Sequence, residues 1–414
     1  METHRIPLLW DHHTHPLLYA AFAEGLDLGQ HPTDTRAEAV ERIRAFRGAG
    51  AATWGIAYGW NTAHYPLRRA DFDGLAPLVV LNLSLHGLVV NGAGRERLGR
   101  TDPEAAARID DQHWVELHLQ RVLNLFASEG GTPERLQRFF RWLLEEHGVF
   151  HAEELLLAGA NEIALFDAAG LADRTTLWAP PAVYDAAGAV SERIRGVKLF
   201  TDGAVGARTA ALGQTYRDGT DSGMLVYGDA ELEGTVGRYL RAGRRVAVHA
   251  IGDRAIDQAI AAVAATGPLT DSQVRIEHAQ FISAEAARRA RSLGIVLSMQ
   301  PNFSADSVHY RDRLPAGFAE RNNPFRMLID EAGFVPGVDL LFGSDGMPHG
   351  ARAALQHGLL PPFASQALTM AELVAGYCMP DQTRGAIEVA VDHAAGTVEC
   401  RVDLQSPSGG PLAE

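Results

Sequence analysis

The chain has 414 residues, 46% of them hydrophobic and 21% charged, which is ample for a packed core and argues against disorder. A formal net charge of −14 speaks against nucleic acid or an anionic membrane surface as partner. The two cysteines, Cys378 and Cys400, are too few for a disulfide framework and fit a reducing compartment. No apolar stretch approaches the length of a membrane span, and the charged start Met1-Glu-Thr-His-Arg5 leaves no room for a signal peptide, so a cytoplasmic protein is expected.

In chain order, the first strand is expected near 7–13, in a nearly continuous apolar run of the kind buried on both faces of a parallel sheet. Residues 16–131 then break the rhythm. They hold strand-like pieces at Thr53–Tyr58 and Leu78–Ser84, with helices near 37–47 and 111–128, and read as an insertion over the mouth of a barrel. Thr132-Pro-Glu-Arg opens a helix with a threonine cap and proline in the first turn. Seven further strands are expected near 148–152, 176–182, 195–200, 245–250, 273–279, 294–299 and 340–345. Helical spacing follows Asp253 (Ile256, Ile260, Val263), and Ser283 begins another helix. Gly252-Asp-Arg-Ala255 has the flavour of an anion-binding helix start, though Asp253 as the helix cap is the simpler reading. Ala386–Asp392 and Val398–Asp403 alternate around a turn and read as a hairpin, and Gln405–Glu414 as a frayed tail.

The expected fold is therefore α/β: a (β/α)₈ TIM-like barrel with a large insertion after the first strand and a reduced C-terminal β hairpin. Its parts are 1–15 (first strand), 16–131 (insertion), 132–376 (remaining barrel) and 377–414 (hairpin and tail).

The chemistry-bearing residues lie at the ends of these strands. His13 and His15 are two apart, so in a strand both imidazoles face one side and can reach one metal ion. Seventeen histidines in 414 residues make about 0.7 such pairs by chance, so the pair carries little alone. Its company carries more. Lys198, His249, His278 and Asp345 each end or nearly end a short apolar run of their own, and in a barrel all six would converge on the C-terminal mouth. Taken singly, each has a plainer reading: a hydrogen-bonded core histidine, a snorkelling lysine, a turn aspartate. Six in this order at successive strand ends are harder to read that way. Nucleotide-binding glycine loops are absent from the sequence.

These residues bring the chain to a family. It resembles the metal-dependent amidohydrolase superfamily, in particular its YtcJ-like branch, which includes N-substituted formamide deformylases. The resemblance spans roughly residues 6–376 and rests on Asp11-His-His-Thr-His15, Gly196–Leu212, Val248–Ala255, Arg275–Gln280, Ser298–Pro301 and Gly343–Asp345. In the insertion, Gly59-Trp60 and His86 with Asn91 also match. The resemblance implies a barrel joined to a small β-sandwich built from both chain ends. It implies His13, His15 and Asp345 on one metal, His249 and His278 on a second, and Lys198 carboxylated by CO₂ to bridge them; some relatives manage with one metal. This chain departs from the pattern: with only about a dozen residues before His13, the usual N-terminal strands of the sandwich are expected to be missing and the sandwich reduced to the hairpin at 386–402; Ser84-Leu-His86 lacks the usual acidic residue, and Asn302 stands where many relatives have histidine.

The leading expectation is a metal-dependent hydrolase of a non-peptide carbon–nitrogen (amide) bond, using one or two divalent ions, zinc foremost, to activate water. Asp345 would be the proton shuttle, and His86 would contact substrate or the developing oxyanion. Trp54, Tyr58, Trp60 and Tyr65 line an apolar pocket or form insertion core. The same site could cleave an ester, lactone or phosphoester, and a non-catalytic barrel that only binds is the rival of another class. The expected partner is a small-molecule substrate, and a second copy of the chain could cover the barrel flank.

Overall fold

The computed structural model describes residues 1–29, 31, 34–46, 54–127, 131–187, 192–267, 273–381 and 383–404. Parts of the expected insertion elements, at 47–53 and 128, and the tail at 405–414 lie outside the described residues.

The first apolar run forms two strands. β1 (Glu2–Pro7) and β2 (Leu9–Thr14) part at Leu8, whose carbonyl accepts the Met379 amide (2.7 Å). β2 starts an eight-stranded sheet. It continues, after the insertion strands β3 (Leu26–Asp27), β4 (Gly55–Trp60), β5 (Leu78–Asn82) and β6 (Leu88–Val90), with β7 (Val149–Glu154), β8 (Thr175–Ala179) and β9 (Ile194–Phe200). The remaining barrel strands are β10 (Arg245–Ala250), β11 (Val274–His278), β12 (Val296–Met299) and β13 (Leu340–Phe342). Their order is β13-β12-β11-β10-β9-β8-β7-β2, every described pair parallel. All eight expected strands are present. Among the described residues β13 and β2 share no ladder, and bonds from the segment just beyond β13, both backbone and side-chain, complete the circle. The Asp345 amide donates to the His13 carbonyl (2.6 Å) and the Ser344 amide to Asp11 Oδ1 (2.8 Å); the Ser344 hydroxyl bonds the other Asp11 oxygen.

Helices cover the outside. The Pro133–His147 helix is capped by Thr132, whose hydroxyl accepts the Arg135 amide, and it ends at Gly148, where φ of +68° favours glycine. Ser283 caps Ala284–Ser292 as expected. Asp253 does not cap its helix. Gly252 is the N-cap of Asp253–Ala264, and the Asp253 carboxylate instead accepts the Gly213 amide (2.7 Å). The anion at that helix start belongs to the chain itself: Asp202 accepts the amides of Ala211, Ile251 and Gly252 at 2.8–3.0 Å.

The insertion folds as a second, four-stranded sheet, β3-β4-β5-β6, with helices at Arg36–Ala45, Gly92–Thr101 and Pro103–Arg108, followed by Gln112–Leu117 and Leu119–Ala127. Asn91 serves this sheet. It caps the Gly92–Thr101 helix, and its amide ties Leu78, Leu75 and Ala76 together. Trp54 and Trp60 are insertion core, with Tyr65 packed at its edge, whereas Tyr58 lines a cavity.

The hairpin of β14 (Ala386–Asp392) and β15 (Thr397–Asp403) is present, with one correction to the expected reduction of the sandwich to this hairpin. β1 pairs antiparallel with β14, so a three-stranded sheet is built from both ends of the described chain. Residues 2–7 had read as the lead-in to the barrel strand.

Candidate functional site

The C-terminal ends of the barrel strands meet at a small hole, about 20 Å³, lined by His13, His15, His86, His249, His278 and Asp345. That is room for roughly one water molecule or ion. Ligand atoms of His13, His278 and Asp345 lie within 4.8 Å of one another. His15 Nε2 is 3.1 Å and His13 Nε2 3.8 Å from Asp345 Oδ1. The His249 and His278 rings are 4.5 Å apart, centre to centre. The five histidines and the aspartate singled out in the sequence are thus brought together. The tightest triad takes His13 and Asp345 from one implied ligand set and His278 from the other.

Four of the five imidazoles are held by a hydrogen bond, His86 by Glu116 and three others at the strand ends. His13 Nδ1 is 2.6 Å from Glu277 Oε2 and His278 Nδ1 is 2.8 Å from Gln300 Oε1, which leaves both Nε2 atoms toward the hole. His249 Nε2 is 3.2 Å from the Gly203 carbonyl. Glu277 belongs to a buried interior network. Arg275 bonds it and also Glu153 (2.8 Å), which accepts the Trp178 indole N–H (2.8 Å). Strand alternation would aim His278 away from Glu277, but His278 has φ of +69°, and this left-handed turn swings its ring into the mouth. Asp345 also has a positive φ, +56°.

The electrostatics divide the histidines. Burial, with neighbouring positive groups, pushes His13, His249 and His278 well below the usual imidazole range, so each keeps a lone pair. Burial also acts on His15, but the bonds and charges of Asp345 and Glu154 outweigh it and hold it at about 9. His86 behaves likewise: despite burial, the charge of Glu116 and its hydrogen bond to Nδ1 (2.6 Å) raise it. Lys198 does not snorkel. It is 1% exposed, its Nζ has no hydrogen-bond partner among the described residues, and burial lowers its pKa to about 8.

Above the hole opens a cavity of about 370 Å³, walled by apolar side chains of both barrel and insertion, including Tyr58, Leu85, Val205 and Phe303. His86, His249 and Asp345 line both spaces.

The supporting groups Glu277, Gln300, Glu116 and Asp11 were not singled out as site residues in the sequence. Glu277 adjoins His278, and Glu116 is a carboxylate inside the otherwise apolar Trp114-Val-Glu-Leu117; that break in pattern was the available signal.

A parallel α/β barrel with a histidine–carboxylate cluster at its C-terminal mouth defines the class. Within it, the chain belongs to the amidohydrolase family, whose sequence profile matches residues 4–354. The chain is similar to the putative amidohydrolase YtcJ of Bacillus subtilis (strain 168), 35% identical over 130 residues, covering 30% of this chain and 25% of that protein. It is also similar to the protein LONG AFTER FAR-RED 3 of Arabidopsis thaliana, 38% identical over 120 residues, 27% of this chain and 21% of that one. The matches thus span a quarter or less of these curated relatives' length. Among solved structures it shares its fold with an uncharacterized metal-dependent hydrolase from Pyrococcus furiosus (TM-score 0.62, 22% identity, 90% of this chain and 80% of that one). One from Pyrococcus horikoshii OT3 is similar too (TM-score 0.59, 22% identity, 86% and 73%). Among the described residues no helix is long and apolar enough to cross a membrane.

Proposed function

We propose that the chain is a metal-dependent hydrolase that cleaves a non-peptide carbon–nitrogen amide bond of a small molecule. One observation carries the reading: six side chains, five from four strand ends and one from the insertion, surround a hole of ion size beside an apolar cavity. The donor set fits a divalent ion such as zinc, whose preferred ligands are imidazole nitrogen and carboxylate oxygen; His13, His249 and His278 already keep a lone pair, and a bound ion would displace the proton that Asp345 and Glu154 favour on His15. His13, His15 and Asp345 would hold one ion and His249 and His278 a second. Lys198 fits the role of a bridging carbamate. Its orphaned, easily deprotonated amine can add to CO₂ with loss of one proton, exchanging a donor without a partner for two acceptor oxygens. When bound, the metal supplies Lewis acidity, which makes water nucleophilic near neutral pH and polarises a carbonyl.

The chain's own groups do the rest. Asp345 borders both spaces, so its carboxylate takes the proton of the attacking water and returns it to the leaving nitrogen as the C–N bond breaks; a new C–O bond replaces it. Glu116 fixes His86 through Nδ1, leaving Nε2 to donate to the substrate oxygen as negative charge develops there. The apolar walls exclude bulk water. The test joins elemental analysis of gently purified protein with a hydrolysis panel of simple amides and esters after metal supplementation. One or two ions per chain, with amide turnover lost in His13→Ala, are expected. A folded protein that ignores added zinc, or one that cleaves esters alone, overturns the reading.

A further inference from the structure

The wall of the cavity has a one-sided charge pattern. Asp27, Asp306 and Asp345 line it, and no lysine or arginine is among its lining residues. Asp345 and the histidines at the floor belong to the site described above. Asp306 does not. It stands just beyond β12, at the start of the Asp306–His309 turn of helix, and shares the cavity wall with Phe303 and Tyr310.

One oxygen of Asp306 is held. Gln280, itself buried, donates its side-chain amide to Oδ2 (2.8 Å). That partner is neutral, and among the described residues no cationic side chain forms an ion pair with Asp306. Burial, against the weaker help of Gln280, pushes the carboxyl up to about 7. A half-buried carboxylate held by a neutral amide in an apolar wall keeps its other oxygen open to the cavity, where something positive or hydrogen-donating can meet it. Gln280 apart, the neighbouring groups are packed or bonded without it. Tyr310 stacks against Arg313, which bonds the Gly206 carbonyl, and Asn322 and Gln366 bond Ser307.

We propose that the cavity takes substrates carrying an ammonium or comparable N–H donor away from the scissile bond, such as an acylated diamine, with that group anchored on Asp306 and aligned by Gln280. The proposal rests on the reading of this cavity as the substrate pocket. It adds that anionic substrates, including acylated amino acids with a free carboxylate, are disfavoured, because away from the histidines of the floor the wall offers them carboxylates and no lysine or arginine.

The test uses the full metal-loaded protein at pH 8. Binding of pentylammonium and of 1-pentanol is measured by calorimetry, on wild type and on Asp306→Asn, which keeps the shape of the side chain and removes its charge. Wild type should bind pentylammonium at least ~10-fold more tightly than 1-pentanol, and Asp306→Asn should erase most of that preference. In kinetics, an amide of 1,4-diaminobutane acylated at one end should be preferred over the pentylamine amide of the same acid. In Asp306→Asn the diamine amide should lose more kcat/KM than the pentylamine amide does, chiefly through KM. Equal binding of ammonium and alcohol by wild type overturns the proposal even if the variant fails to fold. So does an ammonium preference untouched in a folded Asp306→Asn. If pentylammonium binding depends on Asp306 while no amide is hydrolysed, the anchor stands and the amidase reading falls. If amides are cleaved with no ammonium preference, the reverse holds.

Discussion

The barrel mouth and the insertion each bring histidines to the same space, and three of the four barrel rings are treated oppositely to the insertion's His86, His15 being the exception. At the strand ends, burial and positive neighbours hold His13, His249 and His278 deprotonated. In the insertion, the charge and hydrogen bond of Glu116 overcome burial and raise the proton affinity of His86. One residue type thus serves as a lone-pair donor in one region and as a hydrogen-bond donor in the other. The charges all round the ring, rather than its depth or a carboxylate behind it alone, decide which: His13 also backs onto a carboxylate, Glu277, but lies among Lys198, His15, Arg275 and His249. A barrel strand end is a rigid place for the first role. The insertion also supplies Tyr58 and Leu85 to the cavity wall.

The contrast can be broken most severely at Asp345, which serves both spaces. Asp345→Asn keeps its shape and one carbonyl oxygen but cannot accept a proton. It should retain at least one metal by elemental analysis and turn over at least ~100-fold more slowly, at the low end of what general acid–base help is worth. Near-normal turnover, on a substrate for which chemistry limits the rate, would move the base elsewhere, and His86 would be the next residue to examine.

On the insertion side, Glu116→Gln leaves an acceptor for His86 Nδ1 and removes the charge. A fall of roughly tenfold in kcat, with KM little changed, is expected from the range for groups that orient a functional side chain. Rescue by Glu116→Asp would separate positioning from mere packing. A KM effect without a kcat effect would make His86 a binding residue only.

Lys198→Met probes the barrel side without touching an imidazole. Metal stoichiometry should fall toward one, while the metal-free variant should melt no lower than metal-free wild type, because an amine buried without a partner is replaced by an apolar group of similar length. Small carboxylates added to the variant should restore part of its activity.

The smallest effect concerns pH. Burial, with the charges of His147 and His15, lowers His349 to about 3 beside the Thr14 hydroxyl (2.8 Å). Its folded pKa lies below the unfolded value near 6.5, so the unfolded chain takes up the proton first. The associated stability is full above pH 6.5 and is lost as pH falls toward 3. Denaturant melts at pH 7 and pH 5 should differ less in His349→Gln than in wild type.

Much of the barrel was legible because parallel strands buried on both faces write themselves as short apolar runs, and the site residues sit where those runs stop. The break at Leu8 was not, because an apolar run does not say which sheet each half joins; β1 finds its partner in residues 386–391, almost the whole chain away. The turn at His278 was not legible either, since a positive φ at histidine leaves no mark in the sequence. Asp253 read as a cap from its position before a helix, and local pattern could not anticipate that Asp202 occupies that helix start. Glu116 and Glu277 were hidden for a related reason: a carboxylate's role depends on which ring it faces, and the rings lie 30 and 264 residues away.

The seam between β2 and β13 has a consequence for the order in which the molecule is made. Asp11 and Ser344 are separated by 333 positions, and their bonds join the first barrel strand to the segment beyond the last. Until that late segment docks, His13 and His15 have no Asp345 beside them. A ribosome must therefore finish nearly the whole chain before a complete ion-binding pocket exists, and capture of metal becomes a clock for barrel completion. In a refolding experiment, a metal-sensitive signal should lag behind the gain of secondary structure.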